Sequence, residues 1–116
     1  MAFSINACSQ NNRSVLGKSH AEKELKLALS KKSQHNVIDN KSLLIKDNLT
    51  AIKVAEPILF SIYGKEKIES EKPYETYLIN NYWVIAGTLP EDSLGGTFLI
   101  IIDARNSKVL KITHGK

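Results

Sequence analysis

The sequence is poor in cysteine and has no long apolar run. Its single cysteine, Cys8, excludes an internal disulfide, and no group of cysteines and histidines has the spacing of a zinc site. No apolar run approaches the ~18 residues that a membrane-spanning helix needs. The 116 residues are 42% hydrophobic and 24% charged, which is typical of one globular domain that can bury a core.

The excess of basic charge is confined to residues 1–48. They hold eight Lys or Arg against four Asp or Glu, which accounts for the whole net charge of +4. A face that binds nucleic acid would interleave this charge with arginines and aromatic side chains, but Arg13 and Phe3 are the only such residues there. The pattern therefore predicts a solvated lysine-rich face and no nucleic-acid partner.

Residues 1–17 resemble the end of a bacterial lipoprotein signal followed by a polar tether. Ile5 and Ala7 precede Cys8 as apolar and small residues precede a lipidated cysteine, and residues 9–12 are polar. Only seven residues precede Cys8, so most of such a signal is missing. We expect a flexible segment with Cys8 as a candidate lipidation site. The protein would be periplasmic or membrane-anchored if an upstream signal was truncated, and cytoplasmic otherwise.

A first helix is predicted to begin at Ser19. Ser19 and Glu22 have the spacing of a capping box, and good helix formers follow as far as Leu29. The next stretch, residues 37–47, is ambiguous. Residues 43–45 in it suit either a short strand or the entry to a helix.

A second helix is predicted from Asp47 or the residue after it to about Tyr63. Its apolar residues recur at spacings of three and four, which indicates one buried stripe. Gly64 supplies a C-cap, since glycine tolerates positive φ. Pro57 lies inside this helix, and because proline removes one backbone hydrogen bond we expect a kink or a break just before it.

After Pro73 the apolar period changes from helical to two, which predicts strands. Short links join them, including the tight turn Asn80-Asn81 and a loop with a Gly-Gly pair. The sequence therefore predicts an α+β fold with an antiparallel meander from about 74 to 114. Its third strand is apolar on both faces, so we expect it to be central and covered twice, or to line a cavity. The predicted strands are residues 74–79, 82–89, 97–103 and 108–113.

Four residues are candidates for contact with a partner protein. Tyr77 and Tyr82 are of the type enriched at binding hot spots, and the acidic Glu91 and Asp92 lie on the loop between the second and third strands. Alternation along the first strand places Tyr74 on the face opposite to Tyr77. The alternative without a partner is that the tyrosines pack against the fold and that the loop acids only contact solvent.

No catalytic set is evident. His114 and Asp103 could form an acid–base pair, but no nucleophile accompanies them in the pattern. We therefore expect a protein that is not an enzyme and that uses neither a cofactor nor a metal.

Several short pieces occur in an order that resembles the NTF2-fold immunity proteins of bacterial polymorphic-toxin and contact-dependent antagonism systems. The resemblance covers about residues 44–116. The pieces are Ala51-Ile-Lys-Val-Ala-Glu56, Ile62-Tyr-Gly64, Lys72-Pro-Tyr74, Trp83-Val-Ile-Ala-Gly-Thr-Leu-Pro90, Gly95-Gly96, Ile102-Asp103 and Lys111-Ile-Thr-His-Gly-Lys116. The residues of this pattern that we expect to be structural are Tyr63, Gly64, Pro73, Tyr74, Trp83, Gly87, Gly95, Gly96, Asp103, His114 and Gly115.

The resemblance implies a single domain over residues 18–116 with the NTF2-like cone, in which N-terminal helices pack on a curved antiparallel sheet of about four strands. It implies an immunity protein that binds a cognate toxin and blocks it by stoichiometric occlusion. Two alternatives stay open. One is an NTF2-like small-molecule-binding or enzymatic domain that uses the cone cavity. The other is a lipid-anchored envelope protein, with the membrane as a partner only if Cys8 is lipidated.

Overall fold

The computed structural model describes residues 12–30 and 34–116. The chain forms two compact units, which divide between residues 35 and 36. Cys8 lies outside the described residues, so its lipidation stays a prediction, as does the domain boundary at residue 18. None of the described helices is both long enough and apolar enough to cross a membrane.

In the described part of the first unit, helix α1 spans Gly17–Leu29. The predicted capping box is wrong, because the helix begins before Ser19 and no side chain caps it. The chain turns into the helix at Gly17 itself, whose φ of +87° is tolerated because glycine lacks a Cβ. Every described residue of this unit is exposed, including the apolar Leu25 and Leu29.

The second unit contains helix α2, Asn48–Tyr63, whose predicted start and end are confirmed. The Asp47 carboxylate accepts a hydrogen bond of 2.8 Å from the backbone N–H of Thr50, so Asp47 is the N-cap. This hydrogen bond also lowers the pKa of Asp47. Gly64 ends the helix with a φ of +94°. The buried residues of α2 lie four apart on one stripe: Ala51, Ala55 and Leu59.

Of the kink or break predicted at Pro57, the break is wrong, because α2 is continuous through it. The kink stays a prediction. Proline cannot donate to the carbonyl of Lys53, but both residues lie on the exposed side of the helix. Water can therefore reach that carbonyl. The helix loses one hydrogen bond there without burying an unsatisfied group.

Four strands form one antiparallel sheet in chain order, so the predicted meander and the α+β class are confirmed. The Asn80-Asn81 turn is also confirmed, with φ of +49° and +70°. The second strand ends earlier than predicted, since the N–H of Thr88 donates to the carbonyl of Glu71 instead of to a neighbouring strand. The elements after α2 are α3 (Lys65–Glu69), β1 (Glu75–Ile79), β2 (Tyr82–Ala86), β3 (Phe98–Asp103) and β4 (Val109–His114).

The strand register sorts the side chains of the sheet into an inner and an outer face. The inner face carries Trp83, Ile85, Phe98, Ile100 and Ile102, which form the core with the buried stripe of α2 and with Ile68 of α3. The outer face carries the alternate residues, in cross-strand rows such as Tyr77, Val84, Ile101 and Lys111.

Within residues 36–116, no helix covers the outer face of the third strand, which was expected to be covered twice or to line a cavity. β3 does lie between two other strands, as predicted. Its inner residues are buried, but Leu99 and Ile101 on the outer face are only half-buried. Within residues 36–116 both helices contribute their buried residues to the inner side of the sheet.

Residues 43–45 form neither a strand nor a helix, but they are bonded to the end of β3. The N–H groups of Leu44 and Ile45 both donate to the carbonyl of Ala104, at 2.8 and 2.9 Å. The carbonyl of Ile45 in turn accepts a hydrogen bond of 3.0 Å from the indole N–H of Trp83. Trp83 is 6% exposed and therefore belongs to the core.

Candidate functional site

An exposed loop, residues 88–97, joins β2 to β3 and carries two of the predicted partner-binding residues. Glu91 and Asp92 are both exposed on it, and Asp92 has a φ of +67°. Leu94, between them and β3, is 98% exposed. The loop therefore presents two carboxylates and the almost fully exposed side chain of Leu94 to solvent, with Leu89 exposed to a smaller extent. We call residues 88–97 the connector loop.

Glu71 fixes both ends of the connector loop. It is 3% exposed, although it follows a short charged helix. Its backbone carbonyl accepts the N–H of Thr88 at 2.8 Å, and its carboxylate accepts the N–H of Phe98, also at 2.8 Å. The first residue of the loop and the first residue of β3 are thus held by one side chain and its own backbone.

His114 completes this arrangement from β4. Its Nε2 lies 2.8 Å from the second carboxylate oxygen of Glu71, and its Nδ1 lies 2.6 Å from the carbonyl oxygen of Gly115. A carbonyl can only accept, so Nδ1 carries a proton. Nε2 and the carboxylate then share one proton, as imidazolium with carboxylate or as imidazole with carboxylic acid. In either form the pair has no net charge, which suits its burial.

Two glycines make room for these contacts. A Cβ on Gly87 would lie 2.6 Å from a carboxylate oxygen of Glu71. A Cβ on Gly96 would overlap the backbone of Gly115, which approaches it closely. Gly95 needs its freedom for a different reason, a φ of +125°. A larger residue at Gly87 or Gly96 would therefore clash with its neighbours, and at Gly95 it would strain the backbone.

Aromatic residues of the family pattern surround the buried pair. The rings of Tyr63 and His114 lie 5.2 Å apart, and the ring of Tyr74 meets Phe98 edge-on at 5.1 Å. The Tyr74 hydroxyl donates to the Glu56 carboxylate at 2.8 Å, and burial together with this bond raises the pKa of Tyr74. The carbonyl of Pro73 accepts from the Thr88 hydroxyl, so the same shell also holds the start of the connector loop.

The suggested pairing of His114 with Asp103 is wrong. β4 places His114 opposite Phe98 at the start of β3, whereas Asp103 lies at the other end of that strand. Asp103 instead pairs with Arg105, whose Nε and Nη2 donate to its two carboxylate oxygens at 3.0 and 2.9 Å. Arg105 also lies over the ring of Tyr82, 5.5 Å from its centre. The side chains of His114 and Asp103 are thus both hydrogen-bonded within the fold and do not contact each other.

The Asp103–Arg105 pair predicts a loss of stability in acid. The hydrogen bonds from Arg105 lower the pKa of Asp103 below the ~3.9 of an unfolded aspartate. A depressed carboxyl pKa contributes stability that is present above the unfolded value and is lost as the pH falls through the folded one. We expect Asp103→Asn to show a smaller decrease in unfolding free energy between pH 7 and pH 3 than the wild type, measured by urea unfolding with Trp83 fluorescence.

Asp92→Asn is the control for that experiment, because Asp92 makes no hydrogen bond or ion pair within the part of the chain that the structure describes. It should retain the wild-type pH dependence. Equal pH dependence in Asp103→Asn and the wild type would contradict this role for the pair.

The structure brings Tyr77 and Tyr82 to the same face of the sheet. Tyr77 lies opposite Val84 and Tyr82 lies opposite Ile79, so all four are on the outer face. Tyr77 is 52% exposed, and its hydroxyl donates to the Glu75 carboxylate at 2.9 Å, which raises the pKa of Tyr77. The connector loop leaves β2 at its other end. The four predicted partner-binding residues therefore belong to two separate surfaces.

A groove of about 590 Å³ opens between α2 and the segment before β1. Its walls include Leu49, Ile52 and Tyr74, with Glu56 and Lys72 as the charged residues. Neither His114 nor Asp103 lines it. Its polar groups are the Tyr74 hydroxyl and the Lys72 ammonium, which lie 2.8 and 3.7 Å from the Glu56 carboxylate. Among the residues that the structure describes, no three His, Cys, Asp or Glu side chains are grouped as metal ligands would be.

Sequence reasoning missed Glu71, Arg105 and Leu94 as residues of interest. Arg105 follows Asp103 by two positions, and this spacing was a usable signal for a local ion pair. Leu94 could have been noticed as a large aliphatic residue within the run of turn formers from Pro90 to Gly96. Nothing in the charged run around Glu71 distinguishes it from its exposed neighbours.

Helices on one face of a four-strand antiparallel meander make residues 36–116 an α+β domain, which is consistent with the NTF2-like fold. The sequence profile described as NTF2 fold immunity protein matches residues 50–116, which is more than half of the chain. The chain therefore belongs to the NTF2-fold immunity protein family, and the resemblance stated above is confirmed.

Two similar proteins come from Escherichia coli (strain K12). The uncharacterized protein YhhH is 36% identical over 74 residues, 63% of this chain and 58% of its own length. The uncharacterized protein YbbC is 35% identical over 92 residues, 78% of this chain and 70% of its own length. The chain thus spans less than two thirds of YhhH. No solved structure matches the chain.

Proposed function

We propose that this protein is an immunity protein that binds a cognate bacterial toxin stoichiometrically and blocks it. The observation that carries the proposal is the family match over residues 50–116. Action by binding and not by catalysis is supported by the occupied hydrogen-bonding groups of His114 and Asp103. The cognate toxin is the partner, and no nucleic acid is involved.

The connector loop is our candidate for the toxin contact. Glu91 and Asp92 would meet a basic surface of the toxin, and Leu94 would fill an apolar pocket at its centre. A loop held at both ends by Glu71 needs less ordering when it binds, which favours affinity. Tyr77 and Tyr82 lie on a different surface and are not part of this contact.

Co-expression tests the proposal. The candidate toxin is the C-terminal domain of the protein encoded beside this chain's gene, produced from an inducible promoter in a bacterial host. We expect the wild-type chain to restore growth and to co-purify with the toxin domain. Replacing Glu91 and Asp92 with lysine, together with Leu94→Ala, should abolish both effects, whereas Ser93→Ala in the same loop should retain them.

Two results would overturn parts of this account. Absence of both growth rescue and a complex with the wild-type chain would remove the immunity function. Full rescue by the triple loop variant would keep the function but exclude the connector loop as the contact.

A further inference from the structure

The sheet has two edge strands, and they differ in how well they are protected against pairing with another chain. β4 carries Lys111 and leaves Leu110 without a partner at a shift of register, which is a bulge. Lysines and bulges keep an edge strand from accepting a further strand. β1, at the other edge, has neither device. Its residues Glu75–Ile79 pair regularly with β2 and include no lysine and no proline.

The backbone groups of Thr76 and Leu78 point away from the rest of the sheet. The N–H of Gly87 donates to the first residue of β3, and since the direction of hydrogen bonding alternates along a strand, Ile85 and Trp83 also direct their backbone groups to β3. Thr76 lies opposite Ile85, and Leu78 lies opposite Trp83. Thr76 and Leu78 therefore each offer one N–H and one carbonyl that no other group of residues 36–116 bonds.

Apolar side chains are exposed along the same edge. Tyr77 and Ile79 are 52% and 53% exposed on the outer face, and Leu78 is 42% exposed on the inner face. Glu75, at the start of β1, is exposed and forms no ion pair within the part of the chain that the structure describes. A strand that fits this edge would carry apolar side chains on both faces and a basic side chain beside Glu75.

The start of β1 adjoins the connector loop. Glu75 lies opposite Ala86, the last residue of β2. The Thr88 hydroxyl, at the start of the loop, donates to the carbonyl of Pro73 at 2.6 Å. The loop presents two carboxylates of its own, so the loop and the start of β1 are complementary to the same basic surface of a partner.

We propose that an extended segment of the toxin pairs with β1 and adds a strand to this edge of the sheet. The proposal rests on the immunity function proposed above and names a second contact next to the connector loop. The added strand would bond to the free backbone groups of Thr76 and Leu78 and place a lysine or arginine beside Glu75. The five residues of β1 extend over roughly 17 Å. A contact of this length adds to the affinity of the loop and does not replace it.

Amide hydrogen exchange tests the proposal when it is followed by NMR on the full chain with and without the purified toxin domain. In the free chain, the N–H groups of Thr76 and Leu78 should exchange fast, whereas the N–H of Tyr77, which points to β2, should exchange slowly. In the complex, exchange at Thr76 and Leu78 should slow about tenfold or more and approach that of Tyr77.

Two substitutions on β1 should block the added strand without breaking the pairing with β2. Thr76→Pro removes an outward N–H, and proline is tolerated on an edge strand where its nitrogen faces solvent. Leu78→Lys places a charge at the edge. Each should weaken binding of the toxin domain about tenfold in titration calorimetry. Leu110→Lys makes the same change on β4, where Leu110 is 51% exposed, and should bind like the wild type. Circular dichroism of each variant verifies folding.

The outcomes separate this proposal from the immunity function. A complex in which Thr76 and Leu78 still exchange fast would overturn the added strand and keep the immunity function. Unchanged binding by both β1 variants would do the same. Slow exchange of these two amides in the free chain would also overturn the proposal, because the edge would then be occupied without the toxin. Absence of any complex with the wild-type chain would overturn both the immunity function and the added strand.

Discussion

Glu71→Ala is expected to lower the free energy of unfolding by about 3 kcal/mol. The substitution leaves the buried N–H of Phe98 without an acceptor and separates His114 from its partner. It also leaves a cavity where the side chain was 3% exposed. Urea unfolding followed by fluorescence of the only tryptophan, the buried Trp83, measures the change.

Glu71→Gln is the matched control. Its amide oxygen can accept from Phe98, and its amide nitrogen can donate to the Nε2 of a neutral His114. We therefore expect it to retain most of the stability that Glu71→Ala loses. Similar unfolding midpoints for Glu71→Ala and the wild type would contradict the role assigned to the pair. If Glu71→Ala and Glu71→Gln lose the same unfolding free energy, the charge of Glu71 stabilises the fold and its hydrogen bonds do not.

Gly96→Ala is expected to lower the free energy of unfolding by about 2–3 kcal/mol. The added Cβ would overlap the backbone of Gly115, and neither backbone can move without shifting the pairing of β3 with β4. The N–H of Gly115 also donates to the carbonyl of Thr97, so the displaced segment would lose a hydrogen bond. The same fluorescence-detected unfolding measures the effect.

Ser93→Ala provides the comparison within the same loop. Ser93 is exposed, and only its backbone N–H takes part in a hydrogen bond, so the change should stay within about 0.5 kcal/mol. A Gly96→Ala variant as stable as Ser93→Ala would mean that the close approach to Gly115 is not a constraint on the fold.

Helix ends, turns and strands whose formation depends on neighbouring residues could be predicted from the sequence. The start of α2 follows from an aspartate that caps its own helix, and its end follows from Gly64. The turn at Asn80-Asn81 follows from two residues that tolerate positive φ. The alternation of apolar residues then fixes four neighbouring strands. For the helix ends and the turn, the deciding contacts lie within a few residues along the chain.

The predictions that were wrong depended on the environment of a residue. Pro57 was expected to kink or break α2, but it lies on the exposed side of the helix, where water can reach the carbonyl of Lys53, and this exposure could not be predicted from the spacing of the apolar residues. Ser19 matches a capping box, but Gly17 offered an earlier turn into the helix. His114 was placed near Asp103 because both lie in the meander. Only the register shows that they are at opposite ends of β3.

The candidate site was predictable only in part, for a similar reason. Exposed acids in a turn-forming loop can be recognised from sequence, and Glu91 and Asp92 are indeed exposed. The position of Tyr77 and Tyr82 on one face requires the pairing of β1 with β2, which alternation within a single strand does not give. The burial of Glu71 depends on Gly87, Phe98 and His114, which are 16 to 43 residues away in sequence.

Titration calorimetry of the purified chain into the purified toxin domain tests the central claim most directly. Stoichiometric immunity predicts saturation at one chain per toxin domain and loss of toxin activity in proportion to the toxin bound. The loop variant with lysines at positions 91 and 92 and Leu94→Ala should give no binding heat. Complete protection by a small fraction of one equivalent, or no binding heat with the wild-type chain, would contradict the account.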